Sequence, residues 1–199
     1  MGKTLAIHWI ATTRGTWLHG DPRGSWRHGR LIEADAAMEA DAQARMNGSA
    51  TWLDELTRPV VAAAIGEAFA QHRQRAFAAT VQATHVHVVL APLQEDVRNV
   101  IAGLKRRTTM AVRSNNPAIL ADALNTGQNG RSIWTAGRYC EFIFDESHLA
   151  NLIEYVRDHN RRVGLPADPY EWIEPLFPAA ETCGERIRRN EPSVSPRII

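Results

Sequence analysis

Residues 76–91 read Ala76-Phe77-Ala78-Ala79-Thr80-Val81-Gln82-Ala83-Thr84-His85-Val86-His87-Val88-Val89-Leu90-Ala91. Two apolar runs of strand length flank a short break at Gln82-Ala83-Thr84, which predicts two strands, 76–81 and 85–91, joined by a tight turn. Upstream, Leu5 to Thr12 is apolar and β-branched and ends at Arg14-Gly15, as a buried strand does. A helix between these pieces is marked by Thr57 as a cap, Pro59 in its first turn, and a stripe of Val60, Val61, Ala64, Ile65, Ala68 and Phe69. Downstream of Pro92, the residues Val97, Val100, Ile101, Leu104 and Val112 share one helix face until Pro117 ends the run. Tyr139 to Phe144 then reads as a strand. Glu146 to Val163 reads as a long helix, with Asp145 or Ser147 near its cap and Gly164 and Pro166 at its exit.

The order β-α-β-β-α-β-α predicts an α+β, ferredoxin-like split β-α-β fold. Its central sheet is antiparallel, with helices on one face and the last helix free to cross the other. Residues 15–29, punctuated by glycine every few positions, are expected to be loop, as is Asn125 to Gly130; residues 35–47 predict a short helix. From Pro178 the chain turns polar and proline-spaced. The expected organisation is therefore one domain over residues 1–177 and a basic tail over 178–199.

Composition bounds the function. At 199 residues with 44% hydrophobic and 23% charged residues the chain can bury a sizeable core, which excludes wholesale disorder. No apolar run approaches the roughly 20 residues of a membrane-spanning helix, and the N-terminal apolar stretch is too short for a signal peptide. Cys140 and Cys183 form neither a disulfide framework nor a CxxC pattern, which fits a reducing cytosol. The net charge of +1 conceals segregation: between Val97 and Ala121 the charged residues are Arg98, Lys105, Arg106, Arg107 and Arg113, all basic. A positive face of that kind suits phosphate backbones even on a near-neutral protein.

Two imidazoles side by side, as in His85-Val86-His87, can chelate one divalent cation. On the last helix, Tyr155 and His159 are four residues apart and share a face. In the predicted topology the His-Val-His strand is central and the last helix can lie over it. His159 then completes a three-ligand site with positions open to substrate oxygens, and Tyr155, one turn earlier, stands ready to attack a phosphorus polarised there.

Here the sequence resembles a known family. THVHVVLAP is similar to the HUH motif (histidine, hydrophobic, histidine) of the HUH endonuclease superfamily, and LIEYVRDHNRRVGLP to the catalytic-tyrosine helix of its single-tyrosine transposases, the REP-associated and insertion-sequence groups. IHWIATTRGTWLHGDPRG, NVIAGLKRRTTM and SIWTAGRYCEFIFDESHLANLIEYV resemble the first strand and loop, the basic helix, and the approach to the tyrosine helix, so that the likeness spans roughly residues 5 to 177. The resemblance implies cleavage and rejoining of single-stranded DNA at a hairpin, with Tyr155 forming a 5′-phosphotyrosine link and Mg²⁺ or Mn²⁺ held by His85 and His87. The third ligand in many relatives is a glutamine or asparagine four residues after the tyrosine. Here that position is His159, with Asn160 directly behind it as the alternative. Arg98, Lys105, Arg106, Arg107 and Arg113 are the expected DNA-binding face, assisted by Arg186, Arg188 and Arg189 of the tail, while the tryptophans and histidine of the Trp17–His28 loop could stack on bases. A cytoplasmic, nucleoid-associated location is implied, and a homodimer that donates the tyrosine helix in trans is left open.

Two other readings compete. A histidine-triad nucleotide hydrolase would need a third histidine where Val89 stands. A non-catalytic protein that binds a DNA hairpin through the basic helix would need no intact site, yet nothing in the sequence breaks this one.

Overall fold

A computed structural model of the chain describes residues 2–27, 30–46, 48–120, 132–137 and 139–176; the tail with Arg186, Arg188 and Arg189, the Asn125–Gly130 segment and His28 lie outside these. Strand β1 (Ala6–Thr12) is followed by a short hairpin, β2 (Ser25–Arg27) and β3 (Arg30–Ile32), and by helix α1 (Ala36–Ala44). Then come helix α2 (Thr57–His72), the hairpin β4 (Ala76–Val81) and β5 (His85–Leu90), helix α3 (Val97–Asn115), a 3₁₀ turn (Pro117–Leu120), β6 (Tyr139–Ile143) and helix α4 (Glu146–Arg162). The main sheet runs β4-β5-β1-β6 with every neighbouring pair antiparallel. Because β5 returns to lie between β4 and β1, the architecture is the split β-α-β fold that the element order predicts.

Strand alternation divides the molecule into two cores. Ile7, Trp9, Ala11, Val86, Val88 and Leu90 point to one side, where Val61, Ile65 and Phe69 of α2 and Ile101 and Leu104 of α3 cover them. Ala6, Phe77, Ala78, Val89 and Ile143 point to the other, against Leu149, Leu152, Ile153 and Val156 of α4. A β-bulge between Ala76 and Ala78 lets adjacent Phe77 and Ala78 both join this second core. Each fully buried aliphatic side chain of α4 contributes roughly 1.5–3 kcal/mol to holding the helix there.

Three details differ from expectation. The glycine-rich stretch 15–29 is not all loop: it turns into β2, whose strand pairs with β3. Gly20 holds a φ of 89°, and a Cβ there would meet the Asp35 carbonyl oxygen at 2.3 Å, so the turn before that hairpin requires glycine. Thr57 is the first residue of α2 rather than its cap; Asp54 takes the capping role, its carboxylate accepting from the Thr57 amide at 2.7 Å. The stripe on α2 widens to include Ala62 and Gly66, because Trp172 returns to lie on Gly66, where a Cβ would meet its ring at 2.3 Å.

Candidate active site

β5 is an interior strand, so its even and odd residues face the two cores alternately, and His85 and His87 fall on the α4 side. Leu149, Leu152, Ile153 and Val156 seat α4 on the apolar residues of that side. The same helix brings Tyr155 and His159 against the two histidines. Asp145 caps the helix by accepting from the His148 amide at 2.8 Å, and Gly164, at φ 77°, turns the chain away beyond the last turn.

One nitrogen from each of His85, His87 and His159 lies within 4.8 Å of the other two. The ring centroids are 4.9 Å apart for His85–His87, 5.1 Å for His87–His159 and 5.6 Å for His85–His159. Tyr155 is edge-on to His159 at 4.7 Å and to His87 at 5.7 Å. His85 Nδ1 is paired with the Thr84 hydroxyl at 3.0 Å and His87 Nδ1 with His8 Nε2 at 2.9 Å, which leaves the Nε2 atoms to face the centre. His159 Nε2 is buried with no hydrogen-bond partner. An orphaned buried imidazole nitrogen beside two others is costly in the apo protein and is satisfied at once by a cation. The donor set fits a divalent metal.

Electrostatics agree. Burial pushes His85 down to about 4, assisted by the cost of protonating it beside His159 and by the charge of Arg23, and pushes His87 and His159 down as well. All three are thus neutral near pH 7, the form a metal ligand needs. Burial also raises the Tyr155 hydroxyl, so the neutral phenol is the resting state.

Asn160 is fully buried; its amide nitrogen donates to the carbonyls of Ala79 (2.9 Å) and Ala167 (2.8 Å), while its Oδ1, like His159 Nε2, is buried with no hydrogen-bond partner. Sequence reasoning missed His8, a buried histidine of β1 that contacts His87, and Glu141 of β6, which lies directly opposite His8. A polar residue inside an apolar strand, His8 in LAIHWIAT, was the available signal.

The basic residues of α3 do not share one surface. Arg106 and Arg113 line a cleft of about 710 Å³ with Arg14, Lys105, Trp17 and Trp134, and among the described residues no acidic side chain lines it. Lys105 is half-buried and its ammonium donates to the Thr135 (2.9 Å) and Gly137 (2.5 Å) carbonyls. Arg107 donates to Gln71 on the groove between α2 and α3, and Arg98 is exposed near the start of α3. Arg23 stacks on the ring of Trp17 at 4.5 Å and is itself paired with buried Asp21. Trp17 is half-buried and its indole donates to the Gly24 carbonyl at 2.7 Å.

A family model described as transposase, IS200-like, matches residues 45–159. Among solved structures, a protein from Deinococcus radiodurans R1 assigned as a transposase shares 14% identity, with 79% of this chain and 92% of that chain covered at a TM-score of 0.46. A REP-associated tyrosine transposase bound to a REP hairpin shares 11% identity, with 82% and 72% covered at a TM-score of 0.47. No curated protein matches the sequence.

Proposed function

The chain belongs to the IS200-like transposases, and from that membership we propose that it cleaves and rejoins single-stranded DNA through a 5′-phosphotyrosine link at Tyr155. The observation that carries this reading is the convergence of His85, His87, His159 and Tyr155 on the sheet face under α4 of a single chain. That geometry supports a site complete within one subunit, without a tyrosine helix from a partner. His85, His87 and His159 would hold a divalent cation, Mg²⁺ or Mn²⁺, which would supply a Lewis acid to polarise the scissile phosphate.

The Tyr155 oxygen attacks the phosphorus: the Tyr155 O–P bond forms and the P–O3′ bond breaks. The downstream DNA stays attached by its 5′-phosphate, and the upstream segment leaves with a 3′-hydroxyl. Burial favours the neutral phenol, so its proton passes to water as the bond forms, and the leaving 3′-oxygen takes one from water. Attack of that 3′-hydroxyl, or another, on the phosphotyrosine reverses the step and rejoins DNA. Of the basic residues of α3, Arg106 and Arg113, which line the cleft, bind the DNA backbone, and a hairpin is the expected substrate on the family resemblance.

The test is a library of end-labelled single-stranded hairpin oligonucleotides incubated with the protein and Mn²⁺, then run on a denaturing gel. The expected result is a covalent protein–DNA adduct on the downstream segment that disappears with EDTA and in Tyr155→Phe, while the variant still binds DNA. Cutting without an adduct would mean hydrolysis by water. Binding without cutting across the library would make the protein a non-catalytic hairpin binder. Either would sink the proposal.

A further inference from the structure

His8 lies at the middle of β1, 4% exposed, on the same sheet face as His87. Its Nε2 is 2.9 Å from His87 Nδ1 and the rings are nearly parallel, 5.2 Å apart. Its Nδ1 faces the Glu141 carboxylate at 4.0 Å, and the other oxygen of Glu141 is 3.7 Å from His148 Nε2. Three strands contribute one residue each to a row that runs from the sheet edge to the candidate metal centre: Glu141 on β6, His8 on β1, His87 on β5.

Such a row has a direction. At 4.0 Å the contact is electrostatic rather than a hydrogen bond, and the negative carboxylate favours hydrogen on the His8 nitrogen that faces it. Neutral His8 then has a bare lone pair at Nε2, and the 2.9 Å contact is a bond in which His87 Nδ1–H donates. His87 with hydrogen on Nδ1 has its own lone pair on Nε2, facing His85 and His159. Without an acceptor behind it, His87 would divide between two tautomers, one of which points N–H at the cation. A buried histidine pair otherwise gives packing little that Phe or Leu would not give better, because each ring brings two polar nitrogens that must be satisfied.

We propose that His8 is a positioning residue for the transposase site: it accepts from His87 Nδ1 and so fixes His87 as the Nε2 ligand, with Glu141 fixing His8 in the accepting form. The proposal rests on His87 being a metal ligand. Outer hydrogen bonds of this kind are worth about 10–100-fold in metal affinity.

The experiment uses the full chain. Long-range ¹H–¹⁵N spectra of the metal-free protein at neutral pH should show His87 with hydrogen on Nδ1 and His8 with hydrogen on Nδ1. Mn²⁺ titration by calorimetry should show His8→Phe, which keeps the ring volume but neither nitrogen, binding about 10–100-fold more weakly than the parent. His8→Gln, which returns an acceptor oxygen, should recover part of the loss. Parent His87 carrying hydrogen on Nε2 would overturn the proposal even if no variant folds, as would a folded His8→Phe that binds Mn²⁺ within twofold of the parent. If the parent itself bound no divalent cation, the metal-dependent function would fail, while the His87 tautomer would still decide whether His8 orients that ring.

Discussion

Asn160 and His159 are adjacent in sequence on α4. The Asn160 amide nitrogen is given to the Ala79 and Ala167 carbonyls while its Oδ1 has no partner, and His159 leaves Nε2 without a partner beside His85 and His87. Asn160→Ala is therefore expected to cost about 1–3 kcal/mol in unfolding free energy, the range for stranding buried partners, with Mn²⁺ affinity little changed. His159→Ala should do the reverse, weakening Mn²⁺ binding while the melting temperature holds; the opposite pattern would exchange their roles. pH gives a second check on the same cluster in chelated protein. Burial sets folded His85 at about 4 against 6.5 unfolded, so between those values the unfolded chain binds the extra proton. Stability should fall as pH drops from 6.5 to 4 and gain nothing from this group above 6.5. Melting curves of His85→Asn should show a shallower fall; an identical slope would mean that His85 already titrates normally in the folded protein.

Tyr155 can only be aimed as well as α4 is held. The apolar stripe seats one side of the helix, and Arg157 ties the other. Its guanidinium is fully buried, paired with Asp168 at 2.7 Å beyond the helix and with Glu154 at 2.7 Å on it. Removing one partner of a buried pair costs about 3–5 kcal/mol because the remaining charge is stranded; Glu154 stays, so Asp168→Ala should fall near the lower end. Denaturant unfolding reads the cost directly, and DNA cleavage should fall with it because Tyr155 loses its fixed position. A stable Asp168→Ala protein with full activity would show that the apolar stripe alone is enough. In sequence, YVRDHN puts Tyr155 and His159 on one helix face, where their rings meet at 4.7 Å, because helical spacing needs only local information. It offered no sign that Arg157 is buried: an arginine beside an aspartate reads as solvated helix surface until the chain after Gly164 folds back over it. The row from Glu141 to His87 was hidden for the same reason, since only sheet pairing brings β6 and β5 to either side of β1. The hairpin of β2 and β3 was masked by glycines that punctuate a tight turn as they would a loop.

Trp17 lines the basic cleft, and Arg23, which stacks on its ring, lies near enough to His85 to act on it electrostatically. The order of elements fixed which helices flank the sheet, and the run of basic residues on α3 was plain in the sequence. Which of those residues share a surface was not, because a 19-residue helix turns its side chains through more than one groove. Arg106 and Arg113 line the cleft, while Arg107 is directed to Gln71 and Arg98 sits at the far end of α3. Each phosphate contact on a single strand lowers the slope of log affinity against log salt by about 0.7. If the DNA follows the cleft, Arg106→Ala with Arg113→Ala should flatten that slope by about 1.4, and Arg98→Ala with Arg107→Ala should change it by less than one contact's worth. Fluorescence anisotropy of a labelled hairpin across a salt series measures both pairs. Equal flattening by the two pairs would spread the DNA over the whole of α3, and a slope unmoved by either would leave these arginines as ordinary solvated surface.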